Sequence, residues 1–115
     1  MELKLVLNQK YNYSQKYQRE IALGVVFQYV YYRKFFLPLF LDHYFINILN
    51  KTIQNFNTYN QKVWNILYRT NFYVMNYMER SLFLILFAEL EEKKISSKLL
   101  TFIYIRIAKK YCRKN

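Results

Sequence analysis

The two residues that usually punctuate a chain are nearly missing here: among 115 residues there is one glycine, Gly24, and one proline, Pro38. Tight turns and left-handed helix ends draw on Gly, while kinks and helix stops draw on Pro. A chain without them cannot make the many short turns that a sheet-rich fold requires, so long helices with few breaks are expected. With 54% hydrophobic residues there is ample apolar surface to offset ordering entropy, which sets disorder aside. At this length a single helical domain over 1–115 is expected, with a basic C-terminal tail over 106–115.

The opening LKLVL places Leu3, Leu5 and Leu7 on one side at period two, the pattern of a short extended arm. Ser14 is placed to cap a first helix whose stripe reads Tyr17, Ile21, Val25, Gln28, Tyr32 and Phe36, with Pro38 as its stop. Asp42 is the natural cap of the next helix, which carries Phe45, Leu49, Ile53 and Phe56. The Asn-rich piece from Asn55 to Asn60 is the expected second break, with Thr58 and Gln61 at capping-box spacing.

Beyond it Val63, Leu67, Thr70, Val74, Met78 and Ile85 mark one face, uninterrupted by Gly or Pro. That predicts one helix of about 30 residues, ~45 Å long. Its second half, SLFLILFAEL, is apolar almost all round. Such a segment is either the centre of a core or, through Leu82, Phe83, Ile85, Leu86 and Phe87, a surface for a partner. In the last segment TFIYIRI alternates as a strand does, but Leu100, Ile103, Tyr104, Ile107 and Tyr111 fit a helix capped at Ser97, which is the preferred reading. The expected fold is mostly α: a small domain of three to four helices, one of them long.

Little in the sequence suggests catalysis. His43 and Asp42 are the only His and Asp, and adjacent side chains on a helix do not face each other, so a cap and a partly buried imidazole are expected rather than a dyad. Ser14, Ser81, Ser96 and Ser97 lack a nucleophile elbow, and a single glycine excludes a Gly-rich phosphate loop. Glu89, Glu91 and Glu92 beside Lys93 and Lys94 read as a solvated helix end. Cys112, the only cysteine, allows no internal disulfide, and with His43 it falls short of the about four ligands of a structural zinc site. It reads as a plain thiol in a basic tail, its pKa nudged down by Lys110 and Arg113 if anything. The expectation is a non-enzyme with no metal, no cofactor and no small-molecule substrate.

A spanning helix needs about 20 mostly apolar residues, whereas the longest uncharged run is Ile21 to Tyr32. The opening MELKLVLNQK has no h-region, cleavage site or Arg, so import by a presequence is not expected.

The formal charge is +11. Its pole is Arg106, Lys109, Lys110, Arg113 and Lys114, with no acid among them and with Tyr104 and Tyr111 interleaved or adjacent. A second pair, Arg33 and Lys34, follows Tyr29, Tyr31 and Tyr32. Cations on phosphates and rings on bases suit RNA, and the same cations would suit anionic lipid.

Residues with AT-rich codons dominate: Tyr 13, Phe 10, and a comparable load of Ile, Asn and Lys. In this excess the chain resembles lineage-specific proteins encoded in AT-rich protist mitochondrial genomes, ciliate ones especially. The resemblance covers the whole chain as composition and carries no motif, so it transfers no site residue. It implies a mitochondrial location, in the matrix or on the matrix side of the inner membrane. The leading expectation is a structural subunit of a mitochondrial ribosome that contacts rRNA and neighbouring proteins. The alternative is an accessory subunit of an inner-membrane respiratory or ATP synthase complex, touching membrane subunits and anionic lipid. A small DNA-binding or interaction protein from an AT-rich virus or bacterium is a third reading, weakened by the lack of a compact Gly turn between two short helices.

Overall fold

The computed structural model describes residues 15–38, 40–70 and 75–112. The expected extended arm, the Ser14 cap, Val74, Arg113 and Lys114 lie outside them. The described residues form five helices: α1 (Gln15–Tyr32), α2 (His43–Gln54), α3 (Phe56–Thr70), α4 (Tyr77–Glu92) and α5 (Ser97–Tyr111). The class is all-α, as the shortage of Gly and Pro implies.

Helix α4 is the hub, packed against each of the other four. This explains why SLFLILFAEL is apolar all round: a helix with neighbours on every side has no solvent face to keep polar. Leu84, Ile85 and Ala88 are fully buried in it, together with Leu23 of α1, Ile48 and Leu49 of α2, Tyr59 of α3 and Leu100 of α5. Of the residues expected either to centre a core or to meet a partner, Leu82 and Ile85 are buried.

The single long helix is also corrected. Asn76 is extended (φ −72°, ψ 170°), its side chain accepts a hydrogen bond from the Glu79 N–H at 2.8 Å, and the Glu79 carboxylate accepts from the Asn76 N–H at 3.1 Å. This reciprocal capping box satisfies two orphan donors and starts α4 afresh, so α3 and α4 are separate helices. The expected break over Asn55–Asn60 narrows to Asn55 alone. It donates its N–H and its amide Nδ2 to the Lys51 carbonyl, both at 3.0 Å, and α3 begins at the next residue, with Thr58 inside the helix. The last helix starts one residue earlier than expected, with the Ser96 side chain accepting from the Leu99 N–H at 3.2 Å. Over 99–107 the chain is helix rather than strand.

With one glycine in the chain, two helices end on left-handed residues that carry side chains, Arg33 (φ 61°) after α1 and Lys93 (φ 58°) after α4. Each conformation costs about 1–2 kcal/mol that glycine would avoid. At Arg33 part of that is offset, because its guanidinium lies over the rings of Phe56 at 4.6 Å and Tyr29 at 5.9 Å. Arg33, not Pro38, is thus the stop of α1.

The face that α1 buries is not the expected one. Of the stripe Tyr17, Ile21, Val25, Gln28, Tyr32 and Phe36, only Val25 is buried, while Phe36 is 85% exposed. The buried face is instead Gln18, Arg19, Ala22, Leu23, Val26 and Val30. Its two polar members have partners waiting. Gln18 donates to the Asp42 carboxylate at 2.9 Å and accepts from the Asp42 N–H at 2.8 Å, which ties the start of α2 to α1. Asp42 does occupy the N-cap position, but its carboxylate is spent on Gln18 rather than on the helix's own N–H groups.

Candidate nucleic-acid interface

The polar chemistry divides into an interior network and an exposed surface. Inside, Glu89 is completely buried and Arg19 is 2% exposed. Arg19 forks onto the carboxylate through Nε at 2.6 Å and Nη2 at 2.8 Å, and the hydroxyls of Tyr44 (2.6 Å) and Tyr104 (2.5 Å) donate to it as well. The cluster joins α1, α2, α4 and α5 around one carboxylate. Burial alone would push Glu89 up, but hydrogen bonds from Arg19, Tyr104 and Tyr44 outweigh it and hold its carboxyl below the usual range. Burial and the Glu89 charge hold the Tyr104 hydroxyl protonated to well above its ordinary pKa. Four helices are thus tied together through one buried carboxylate, and the cluster reads as a structural knot. The solvated-helix-end expectation is corrected for Glu89, which points into the core.

The other carboxylates are also spent. Glu92 takes Lys51 at 2.6 Å, and Glu91 takes the Tyr59 hydroxyl at 2.7 Å with Lys62 at 3.8 Å. Glu20 takes Lys110 at 2.9 Å and the Tyr111 hydroxyl, which lower its pKa against the burial penalty. Asp42 and Glu79 are held by Gln18 and by the α4 cap. Each carboxylate among the described residues therefore has an internal partner.

Many cations do not. Among the described residues Arg33, Lys34, Arg69, Arg80, Lys98, Arg106 and Lys109 have no carboxylate in ion-pair reach. The expected basic residues fall into two places. Lys110, Arg106 and Lys109 lie towards the end of α5, beside the start of α1, while Arg33 and Lys34 follow the end of α1. From Glu20 to Arg33 is about 20 Å along that helix, so the two basic regions are separate rather than one patch. Lys110, read from sequence as part of an acid-free tail, is paired with Glu20. Arg106 rests over the Phe102 ring at 5.9 Å.

At the Arg33 end the cations meet exposed rings. Tyr31 and Tyr32 stand at 4.6 Å between ring centres, Tyr31 and Tyr77 at 5.2 Å, and the Arg80 guanidinium lies 6.0 Å from Tyr77 and 5.7 Å from Trp64. All four rings are about half or more exposed. Sequence reasoning saw the tyrosines beside Arg33 but not Trp64, Tyr77 or Arg80, because α3 and α4 reach them only through the tertiary fold.

Comparison with protein-family models, with curated proteins and with solved structures finds no match. The reading of this surface rests on its own chemistry.

An apolar groove of about 490 Å³ runs between α4 and α5, lined by Leu82, Phe83, Leu86, Ile105, Ala108 and Cys112 among others. Three of the expected partner residues, Leu82, Phe83 and Leu86, line it. The Phe87 ring stands 6.1 Å from that of Phe83 and 5.9 Å from that of Tyr59, with Lys62 Nζ at 5.5 Å. Burial, with a smaller contribution from the Glu79 charge, pushes the Cys112 thiol up, which corrects the direction expected from its basic neighbours. His43 and Asp42 are exposed. No group of His, Cys, Asp and Glu suited to a metal ion occurs among the described residues, and no helix there is long and apolar enough to cross a membrane.

Proposed function

We propose that this chain is a non-catalytic, RNA-contacting subunit of a large ribonucleoprotein assembly, and that the assembly is a mitochondrial ribosome. One observation carries the RNA contact: the described carboxylates are all consumed by internal partners, while Arg33 and Lys34 at one end of α1 and Arg106 and Lys109 towards the other have no carboxylate in ion-pair reach among the described residues and lie near exposed rings. Such a surface attracts a polyanion without internal competition, and phosphate neutralisation is the main source of sequence-independent affinity. The rings add stacking area that a phosphate-only contact would not use. The ribosomal and mitochondrial parts of the proposal rest on the AT-rich composition.

The test is sedimentation of the native assembly before and after ribonuclease treatment. The proposal expects the chain to travel with a large particle and to be released, or to shift to a much lighter fraction, once the RNA is cut. Unchanged migration after complete digestion, with lipid-containing membrane complexes, would replace it with the inner-membrane reading.

A further inference from the structure

We infer that the exposed rings Trp64, Tyr77, Tyr31 and Tyr32, with the Arg80 guanidinium between the first two, form a stacking platform for unpaired RNA bases. The inference rests on the RNA-contacting reading and specifies which RNA the α1–α3–α4 end takes: single-stranded nucleotides rather than duplex.

Three elements build the platform. Trp64 lies on the open side of α3, Tyr77 and Arg80 occupy the first turn of α4, and Tyr31 and Tyr32 close α1. From Trp64 to Arg80 to Tyr77 to Tyr31 to Tyr32 the successive separations are 5.7, 6.0, 5.2 and 4.6 Å, an unbroken path of π faces and edges. The edge-on packing of Tyr31 against both Tyr32 and Tyr77 fixes the ring planes before anything binds, so little rotamer entropy remains to be lost. Arg80 Nε is buried and has no hydrogen-bond acceptor among the described residues, so ring contacts rather than a salt bridge hold the guanidinium there. Arg33 and Lys34 directly follow Tyr32 and carry the charge that a sugar–phosphate backbone needs beside stacked bases.

Only unpaired bases offer free faces to such rings, because an A-form duplex keeps its bases stacked on one another and presents phosphates and 2′-hydroxyls instead. The length of the path suits on the order of two or three bases. Stacking accepts any base, so the platform takes unpaired segments with little sequence preference. The position of Arg80 argues against a lipid surface. Sinking Trp64 and Tyr77 among acyl chains would leave the buried Arg80 Nε still without an acceptor, whereas a bound nucleotide brings oxygen acceptors to this end of the molecule.

Trp64 is the only tryptophan of the chain, so its fluorescence reports on the platform without labelling. The full chain is titrated with an oligouridylate and with an RNA duplex of equal phosphate number. The platform predicts saturable quenching by the oligouridylate and little quenching by the duplex. It also predicts that Tyr32→Leu weakens oligouridylate binding about tenfold while leaving duplex affinity and the melting temperature unchanged. Lys109→Gln serves as the contrast, lowering affinity for both RNAs alike. Equal binding of the two RNAs with no quenching, and no effect of Tyr32→Leu, would overturn the platform and leave the RNA-contacting reading standing. Failure to bind either RNA would remove that reading and the platform with it. A blue shift on anionic vesicles in place of quenching by RNA would assign the rings to lipid.

Discussion

Arg19→Met is expected to lower the stability of the fold by about 3–5 kcal/mol, because it leaves the Glu89 carboxylate buried without its counter-charge. The size follows from burial: Glu89 is wholly enclosed, so neither water nor salt can replace the guanidinium. Adding Glu89→Met to that variant should recover much of the loss, since a pair of apolar side chains of similar length avoids the desolvation that the ion pair had to offset. The recovery is incomplete, because the hydroxyls of Tyr44 and Tyr104 then lose their acceptor. Urea titrations of the two single variants and the double variant measure all of this. A loss under about 1 kcal/mol for Arg19→Met would mean that the pair is open to solvent and that the four helices do not meet around it.

The same cluster sets how stability varies with pH. Glu89 has a depressed pKa in the fold, so its contribution is present above the ordinary carboxylate value of 4.5 and is lost as pH falls through the lower folded value. Tyr104 has a raised pKa, so its contribution is present below its ordinary value of 10.0 and is lost as pH rises through the higher folded value. A stability plateau between those limits is expected, with Glu89→Gln flattening the acid side.

The second large effect is on RNA affinity. With about three phosphates neutralised at the Arg33, Lys34 and Arg80 end, the logarithm of the association constant should fall with log salt at a slope of about −2, since each contact to a single strand contributes ~0.7. From about 50 to about 200 mM salt the affinity then drops by roughly 20-fold. Arg33→Gln with Lys34→Gln should reduce the slope by about 1.4. Both residues are exposed, so the fold itself should change little apart from the loss of the Arg33 ring contacts. A slope near zero would show that the cations of this surface do not meet phosphates.

The helical class was legible in the sequence because it follows from what is missing. A chain with only Gly24 and Pro38 to interrupt it has few ways to turn, and of the expected α5 face of Leu100, Ile103, Tyr104, Ile107 and Tyr111 the helix buries Leu100, Tyr104 and Ile107, half-buries Ile103 and leaves Tyr111 exposed. The role of α4 was half legible: an all-round apolar segment is either a hub or an interface, and only tertiary packing on every side decides for the hub. The face of α1 was hidden because Gln18 and Arg19 count as polar, and a hydrophobic stripe cannot register that their partners lie 24 and 70 residues away. The start of α4 was written in the sequence as Asn76 followed three residues later by Glu79, but the longer apolar periodicity running through it masked the capping box. Glu89 was misread because it sits next to a mixed charge run, although Glu91, Glu92, Lys93 and Lys94 face outward or sideways and Glu89 alone is buried. The ring platform depends on Trp64 and Arg80 meeting across two helices, for which local spacing holds no signal.

Ultraviolet crosslinking of the native particle, followed by identification of the crosslinked residues, tests the RNA-contacting account most directly. The account predicts nucleotide adducts at Tyr31, Tyr32, Trp64 or Tyr77, close to Arg33, Lys34 and Arg80. Absence of any nucleotide adduct on this chain, in a particle whose other RNA-bound subunits crosslink readily, would contradict it.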